Sequence, residues 1–377
     1  MSEQSEYKIN ENKEIIKKSI NKQNEIEKKY YYKNKNLKEI EISFSIEKIG
    51  DYCFEKCENL TKIKFSTRSN DFLKINENKK YNLKEIGKGC FKKCISLQTI
   101  EIPSSIKSIS YKCFKDCEEL REIRIPESIT ELGKLCFANC KNLFQLEIPT
   151  TMKKLSKGCF RYCKQLQELR IPESVKEIGE FCFYYCSNLT KIELPNMITK
   201  LPQSCFSYCF QLQEIKIPKN IQEIGESCFL NDYCFTRIVL PSSIKKIPRK
   251  CFAQCYQLKE IEIPESVTEI GTSCFYFCSN LTKIHLPQLI SIIPKNCFKE
   301  CNKLKEINIP NSVTKLDKYC FYYCSSLSKI KISKPFEGIV LDCFEGCHNL
   351  NKTQIFENTE LQKENDVDIE YLNESLE

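Results

Sequence analysis

A Cys-Phe dipeptide recurs through this chain at a fixed interval. The Cys stands at 53, 90, 113, 136, 159, 182, 205, 228, 251, 274, 297, 320 and 343, and Phe follows each time, from Phe54 to Phe344. Every step from Cys90 onward is 23 residues; the step from Cys53 to Cys90 is 37, which is 23 plus an insertion of 14. A second Cys lies four residues on, as in Cys90/Cys94, except after Cys228, where the next is Cys234. A unit this short cannot bury its apolar face alone. Repetition at this length therefore specifies a solenoid, in which each coil covers the next.

Other positions keep the same phase. Counted from the first Cys, offsets 7, 10 and 12 are apolar, as in Leu97, Ile100 and Ile102 or Leu189, Ile192 and Leu194. This alternation reads as a short strand with inward aliphatic side chains. Pro follows at offset 13, from Pro103 to Pro310, and lacks the N–H needed to continue a ladder. Offsets 16 and 19 are aliphatic again, as in Val175 and Ile178. The GEFCFYYC type of segment reads as a short helical or 3-10 turn leading back. Equivalent strands then stack in parallel about 4.8 Å apart, with the Phe residues in a buried column. Residues 30–52 fit as an earlier coil without a Cys pair, so one pattern covers 30–350.

Composition limits the function classes. The chain has 58 Lys and Arg against 50 Asp and Glu, giving +8; residues 1–29 carry +1 and 351–377 carry −6, which leaves +13 on the repeats. That charge is mild and interspersed with acids, unlike the clustered basic face of a nucleic-acid binder, so no nucleic acid is expected. No run approaches the apolar length of a membrane span, so no membrane insertion is expected. The start lacks an apolar secretory segment, which favours a cytoplasmic location and reduced thiols for the 26 Cys, with the cell surface by an unconventional route as the alternative. Two His residues, ten Gly and no Trp offer little catalytic material. No P-loop, nucleophile elbow, zinc-protease or dinucleotide fingerprint is present, and no catalytic residue, metal ligand or cofactor is assigned. His285 replaces charged residues at its offset, and His348 follows Cys347 in a pairing that rarely gives catalytic geometry.

The segment IPESVKEIGEFCFYYCSNLTKIELP at 171–195 is nearly repeated as IPESVTEIGTSCFYFCSNLTKIHLP at 263–287. It resembles the BspA-like leucine-rich repeat of bacterial and protozoan surface proteins, in a Cys-rich variant, because that family's repeat usually has Ala at the first Cys. The resemblance implies a right-handed coil with a parallel β-sheet face that binds other macromolecules and is not an enzyme. The thiols then read as small buried hydrophobes. The alternative is a thiol-rich redox sensor or metal-binding protein using the CFxxC ladder.

Two faces could meet a partner protein. On the strand, offsets 9 and 11 point outward and alternate in sign, as in Lys191, Glu214, Arg237, Glu260, Lys283 and Glu306. Such alternation avoids the repulsion that an identical repeat would stack in register. Offset 20 alternates Gly179, Pro202, Gly225, Pro248, Gly271 and Pro294, making the true unit there 46 residues. On the return turn, offset 3 carries Tyr162, Tyr185, Tyr208, Phe277 and Tyr323, and offset 2 carries Tyr184, Tyr276 and Tyr322. Aromatic residues are enriched at interfaces, so these eight are the candidate partner-binding residues. Residues 1–29, with Ile15, Ile16, Ile20 and Ile26 at loosely helical spacing, read as a capping helix or a disordered tail. Residues 66–82 read as an inserted surface loop, and 351–377 as an acidic tail.

Overall fold

The computed structural model describes residues 24–67, 81–332 and 341–351, with the backbone of 14–16. Most of the N-terminal segment (1–13 and 17–23), residues 68–80 of the 66–82 insertion, residues 333–340 and the acidic tail from 352 lie outside the described residues. The chain divides into two compact units, 1–189 and 190–377, and both are parallel β-solenoids built on the 23-residue plan.

In the first unit the strands Glu14–Ile16, Glu39–Ile42, Lys62–Phe65, Thr99–Glu101, Glu122–Arg124 and Gln145–Leu146 pair in that order, all parallel. Glu122–Arg124 shows the pattern: Ile123 is buried between exposed Glu122 and Arg124. A second, shorter strand follows the corner, which begins at Ser43 and Ser66 in the first two described coils and at Pro from Pro103 to Pro310. The corner closes because the Pro carbonyl accepts a turn bond, as from Ile129 to Pro126 at 3.0 Å. Ser at offset 15 then donates to the preceding coil, as Ser128 does to the Ile106 carbonyl at 2.7 Å. In this unit the second strands form one ribbon from Glu25–Ile26 to Glu85–Ile86 and another from Ser108–Ile109 to Glu177–Ile178. Two strands, Glu14–Ile16 and Glu25–Ile26, thus precede residue 30.

Among the described residues of the second unit the second strands associate in twos: Lys200–Leu201 with Glu223–Ile224, Lys246–Ile247 with Glu269–Ile270, and Ile292–Ile293 with Lys315–Leu316. Offset 20 explains the breaks. Gly225 donates to the Leu201 carbonyl and Gly271 to the Ile247 carbonyl, both at 2.7 Å. A Cβ on Gly225 would fall 2.6 Å from the backbone carbon of Pro202, so the close approach requires Gly. Pro248 and Pro294 have no N–H to give their preceding coils, and the ladder stops there. The 46-residue period read from sequence therefore has a structural counterpart.

The return turns are not helical. The one 3-10 segment among the described residues is Leu341–Cys343. Elsewhere the turn places two residues in the left-handed region, at offsets −1 and 3, such as Lys112 and Asp116, or Ser273 and Phe277. This geometry aims alternate N–H groups along the solenoid, and Gly89, Phe91 and Lys93 donate to Tyr111, Cys113 and Lys115 of the next coil at 2.8–2.9 Å. A helix would spend those donors within its own coil, so the stacked arrangement gains a third ladder.

The Phe residues stack in each unit. In the first, Tyr31 takes the Phe position of the earliest described coil, 5.2 Å from Phe54, and the column continues to Phe160–Phe183 at 5.7 Å. In the second it runs from Phe206–Phe229 at 5.7 Å to Phe321–Phe344 at 5.6 Å. These rings are buried, and offset stacking at such distances adds about 0.5–1.5 kcal/mol per pair to the burial itself.

Candidate functional site

The thiols were expected as small hydrophobes, and all but Cys234 are buried and free. The second Cys of each pair does more than fill space. Cys117, Cys140 and Cys163 donate their thiols to the carbonyls of Phe91, Phe114 and Phe137 at 3.1–3.2 Å. Cys255, Cys278 and Cys301 repeat this toward Phe229, Phe252 and Phe275 at 3.1–3.3 Å. Desolvation pushes the thiols up, to about 12 for Cys182 and Cys278. Among the described residues no three His, Cys, Asp or Glu side chains converge to hold a metal. Cys347 directs its thiol to the Phe321 carbonyl at 3.1 Å, while His348 is exposed with its ring 6.4 Å from Tyr323. His285 is exposed and pairs with Glu265 at 2.7 Å.

The irregular pair after Cys228 has a simple basis. Asp232 occupies the offset of the second Cys, and Cys234 lies outside the column, half-buried. Asp232 is fully buried. Its Oδ1 accepts the Cys209 N–H at 2.9 Å, and its Oδ2 has no partner. Burial drives its pKa well above the usual carboxylate range.

On the strand face the register sets opposite charges side by side: Lys191 opposite Glu214, Arg237 opposite Glu260, Glu260 opposite Lys283, and Glu306 opposite Lys329. Arg237 joins Glu260 at 3.2 Å and also contacts Glu262. A second row, which the sequence reading did not single out, lies on the short strands at offset 18. Lys154 meets Glu177 at 2.5 Å, Lys200 meets Glu223 at 2.7 Å, and Lys246 meets Glu269 at 2.6 Å. The alternation Lys154, Glu177, Lys200, Glu223, Lys246 and Glu269 was its visible signal. Cross-coil ion pairs are thus made along the short-strand row and, on the strand face, at Arg237.

The return-turn face differs. Tyr162, Tyr185, Tyr208, Phe277 and Tyr323 are left-handed residues, which turns their side chains away from the Phe column. They and Tyr184, Tyr276 and Tyr322 are half-buried, apart from Tyr323, which is 45% exposed. In the first unit Tyr162, Tyr184 and Tyr185 touch one another at 5.3–6.4 Å, with Phe181 5.9 Å from Tyr184. In the second, Tyr208, Phe210, Tyr233, Tyr256, Phe277 and Tyr276 form a chain of neighbouring rings at 4.8–6.1 Å. Tyr322 and Tyr323 lie 4.6 Å apart farther along. Phe210, Tyr233 and Tyr256 were missed from sequence, although all three share offset 5, directly after the second Cys position.

Stacked 23-residue coils with a parallel strand face, an aromatic column and a side-chain-bearing return turn define a leucine-rich-repeat solenoid. The chain belongs to the BspA type leucine rich repeat family, whose repeat region matches residues 24–140, 69–160, 136–259 and 245–365. It is similar to a leucine-rich repeat protein of Bacteroides ovatus, at 30% identity over 81% of each chain with a TM-score of 0.68. A leucine-rich repeat protein of Eubacterium ventriosum shares the fold at 21% identity, covering 86% of this chain and 84% of that one, with a TM-score of 0.56. Comparison with functionally curated proteins gives no match. The relatives are repeat proteins, and among the described residues no helix is long and apolar enough to cross a membrane.

Proposed function

We propose that this protein is a non-enzymatic scaffold that binds a partner protein through its return-turn face, with Tyr162, Tyr184, Tyr185, Tyr208, Tyr276, Phe277, Tyr322 and Tyr323 as the contact residues. The carrying observation is that large aromatic side chains are kept at left-handed positions. Non-glycine residues hold that conformation at a cost of about 1–2 kcal/mol each. Gly89, Gly158 and Gly346 occupy the same kind of position without that cost. Elsewhere Lys93, Asp116, Asn139, Gln254 or Glu300 fills that position, so the turn does not itself demand an aromatic ring, and aromatic side chains are the ones enriched at interfaces. The strand face offers less, since its charges alternate in sign from coil to coil and present no field of one sign.

Hydrogen bonds donated by the column thiols require the reduced form, which supports a reducing compartment. Burial and raised thiol pKa values weigh against the redox-sensor alternative, because the thiolate is the reactive species.

The test is affinity capture with wild type and a variant carrying Tyr208→Asn, Phe277→Asn and Tyr323→Asn. Asn tolerates the left-handed conformation, so the fold should persist and its thermal transition should stay near wild type. Proteins captured by wild type should be lost from the variant. Equal recovery by both would overturn this reading.

A further inference from the structure

The offset-2 column runs along the return-turn face and carries charge in two different settings. Where Lys92 follows Glu55, the two join at 2.7 Å. Lys115 likewise takes Asp116 at 3.0 Å. Both cations are thereby neutralised within the fold. At Arg161 the flanking residues of the column are Ala138 and Tyr184, and neither is an acid. The guanidinium carbon lies over three rings, 5.0 Å from Tyr162, 5.6 Å from Phe181 and 4.8 Å from Tyr184. Among the described residues Arg161 has no ion pair, and its Nε is buried without an acceptor. Lys164 lies over Tyr185 at 5.3 Å, adding a second cation, while Lys157 is tied to Glu180 at 2.6 Å.

Aromatic faces attract a cation without discharging it, and they hold the planar guanidinium in one orientation. The remaining Nη donors keep a fork suited to an oxyanion. A buried donor left unsatisfied costs about 1–3 kcal/mol, and no acceptor among the described residues meets this one.

We propose that Arg161, set among Tyr162, Phe181 and Tyr184, is an anion-recognition point for a glutamate or aspartate carboxylate on an acidic segment of the partner protein. This rests on the reading of the return-turn face as the interaction surface. Charge complementarity argues for the occupant: the same column satisfies Lys92 with a carboxylate, and here that carboxylate must come from outside. Lys299 provides an internal contrast. It lies 6.0 Å from the Tyr276 ring and 4.5 Å from that of Tyr322, but Glu300 follows it directly and donates its backbone N–H to the Tyr322 carbonyl at 2.8 Å. The nearby acid makes that second cation a poor anion site.

The experiment uses the full chain and three labelled probes: a peptide of alternating Glu and Tyr, its Gln counterpart, and one with phosphoserine in place of Glu. At low salt the Glu peptide should bind about tenfold or more tightly than the Gln peptide, and the difference should shrink as salt is raised. Arg161→Gln should remove that preference, Arg161→Lys should restore part of it, and Lys299→Gln should leave it unchanged. Circular dichroism and thermal unfolding establish that each variant is folded. No binding of the Glu peptide, equal binding of Glu and Gln peptides, or an Arg161→Gln variant that keeps the preference would overturn the proposal. Preference for the phosphoserine peptide alone would overturn the carboxylate assignment. If Arg161→Gln changes nothing while the Tyr208, Phe277 and Tyr323 variant loses its captured proteins, the face reading survives and the anion site does not.

Discussion

The thiol of Cys255 donates to the carbonyl oxygen of Phe229 in the preceding coil, 3.2 Å away. The bond crosses from one coil to the next, and Cys278 makes it to Phe252 at 3.1 Å. Ala at this position would retain the burial and lose the donor. Cys278→Ala should therefore lower stability by about 1–3 kcal/mol in urea unfolding, since a buried carbonyl loses its side-chain partner and a small void opens. Ala at the first Cys, which donates no such bond, should cost less; Cys274→Ala is the comparison. Equal losses for the two would show that packing alone matters.

Thiol titration follows from the same geometry. In native protein at neutral pH, Cys234 should react first with an aromatic disulfide reagent, because it is the one half-buried thiol among the described residues. The others should react only as the protein unfolds. Rapid native reaction of most thiols would contradict the column.

Asp232 introduces a pH dependence. Cys209, Cys228, Cys234, Cys251 and Cys255 surround it, and no cation is among its recorded partners. Its folded pKa is raised, so the folded state holds the proton more tightly than the unfolded chain. The contribution to stability is greatest below about pH 4 and falls as pH climbs toward the raised value. Asp232→Cys, which restores the column residue, should stabilise by about 1–3 kcal/mol at neutral pH, with the gain shrinking on acidification. Denaturant midpoints measured across pH give the answer, and a gain that grows toward low pH would refute the sign.

Gly225 meets the backbone of Pro202 too closely for a Cβ. Gly225→Ala should cost about 2 kcal/mol or more and broaden or split the thermal transition of that unit. A neutral substitution would mean that the two coils can move apart freely.

Arg237 lies between Glu260 and Glu262 on the exposed strand face. Arg237→Glu should lower the thermal midpoint at low salt and recover toward wild type at high salt, because exposed pairs are screened. A loss independent of salt would point to packing instead.

The repeat length, the inward alternation and the Phe column were legible because each is set by apolar periodicity, which 13 recurrences make unmistakable. The return turn was not. Cys-Phe-x-x-Cys has the spacing of a helical turn, and nothing local announces left-handed residues when Tyr162 or Lys112 occupies them. The conformation is imposed by hydrogen bonds to a neighbouring coil, which no window along one coil contains. Asp232 is hidden in the sequence by Cys234 two residues on, which keeps a Cys pair in that coil although the column position itself has changed. The cage around Arg161 became visible only when residues 23 apart were placed side by side.

The glycine–proline alternation has a mechanical consequence. Among the described residues of 190–332 the short-strand ladder is cut at every second coil, so resistance to tension there is not uniform along the chain. Pulled from its ends, this part should yield in discrete events that each release two coils, or about 150 Å of extended chain. The prolines would act as preset fracture lines, confining local damage to one pair of coils while its neighbours keep their shape.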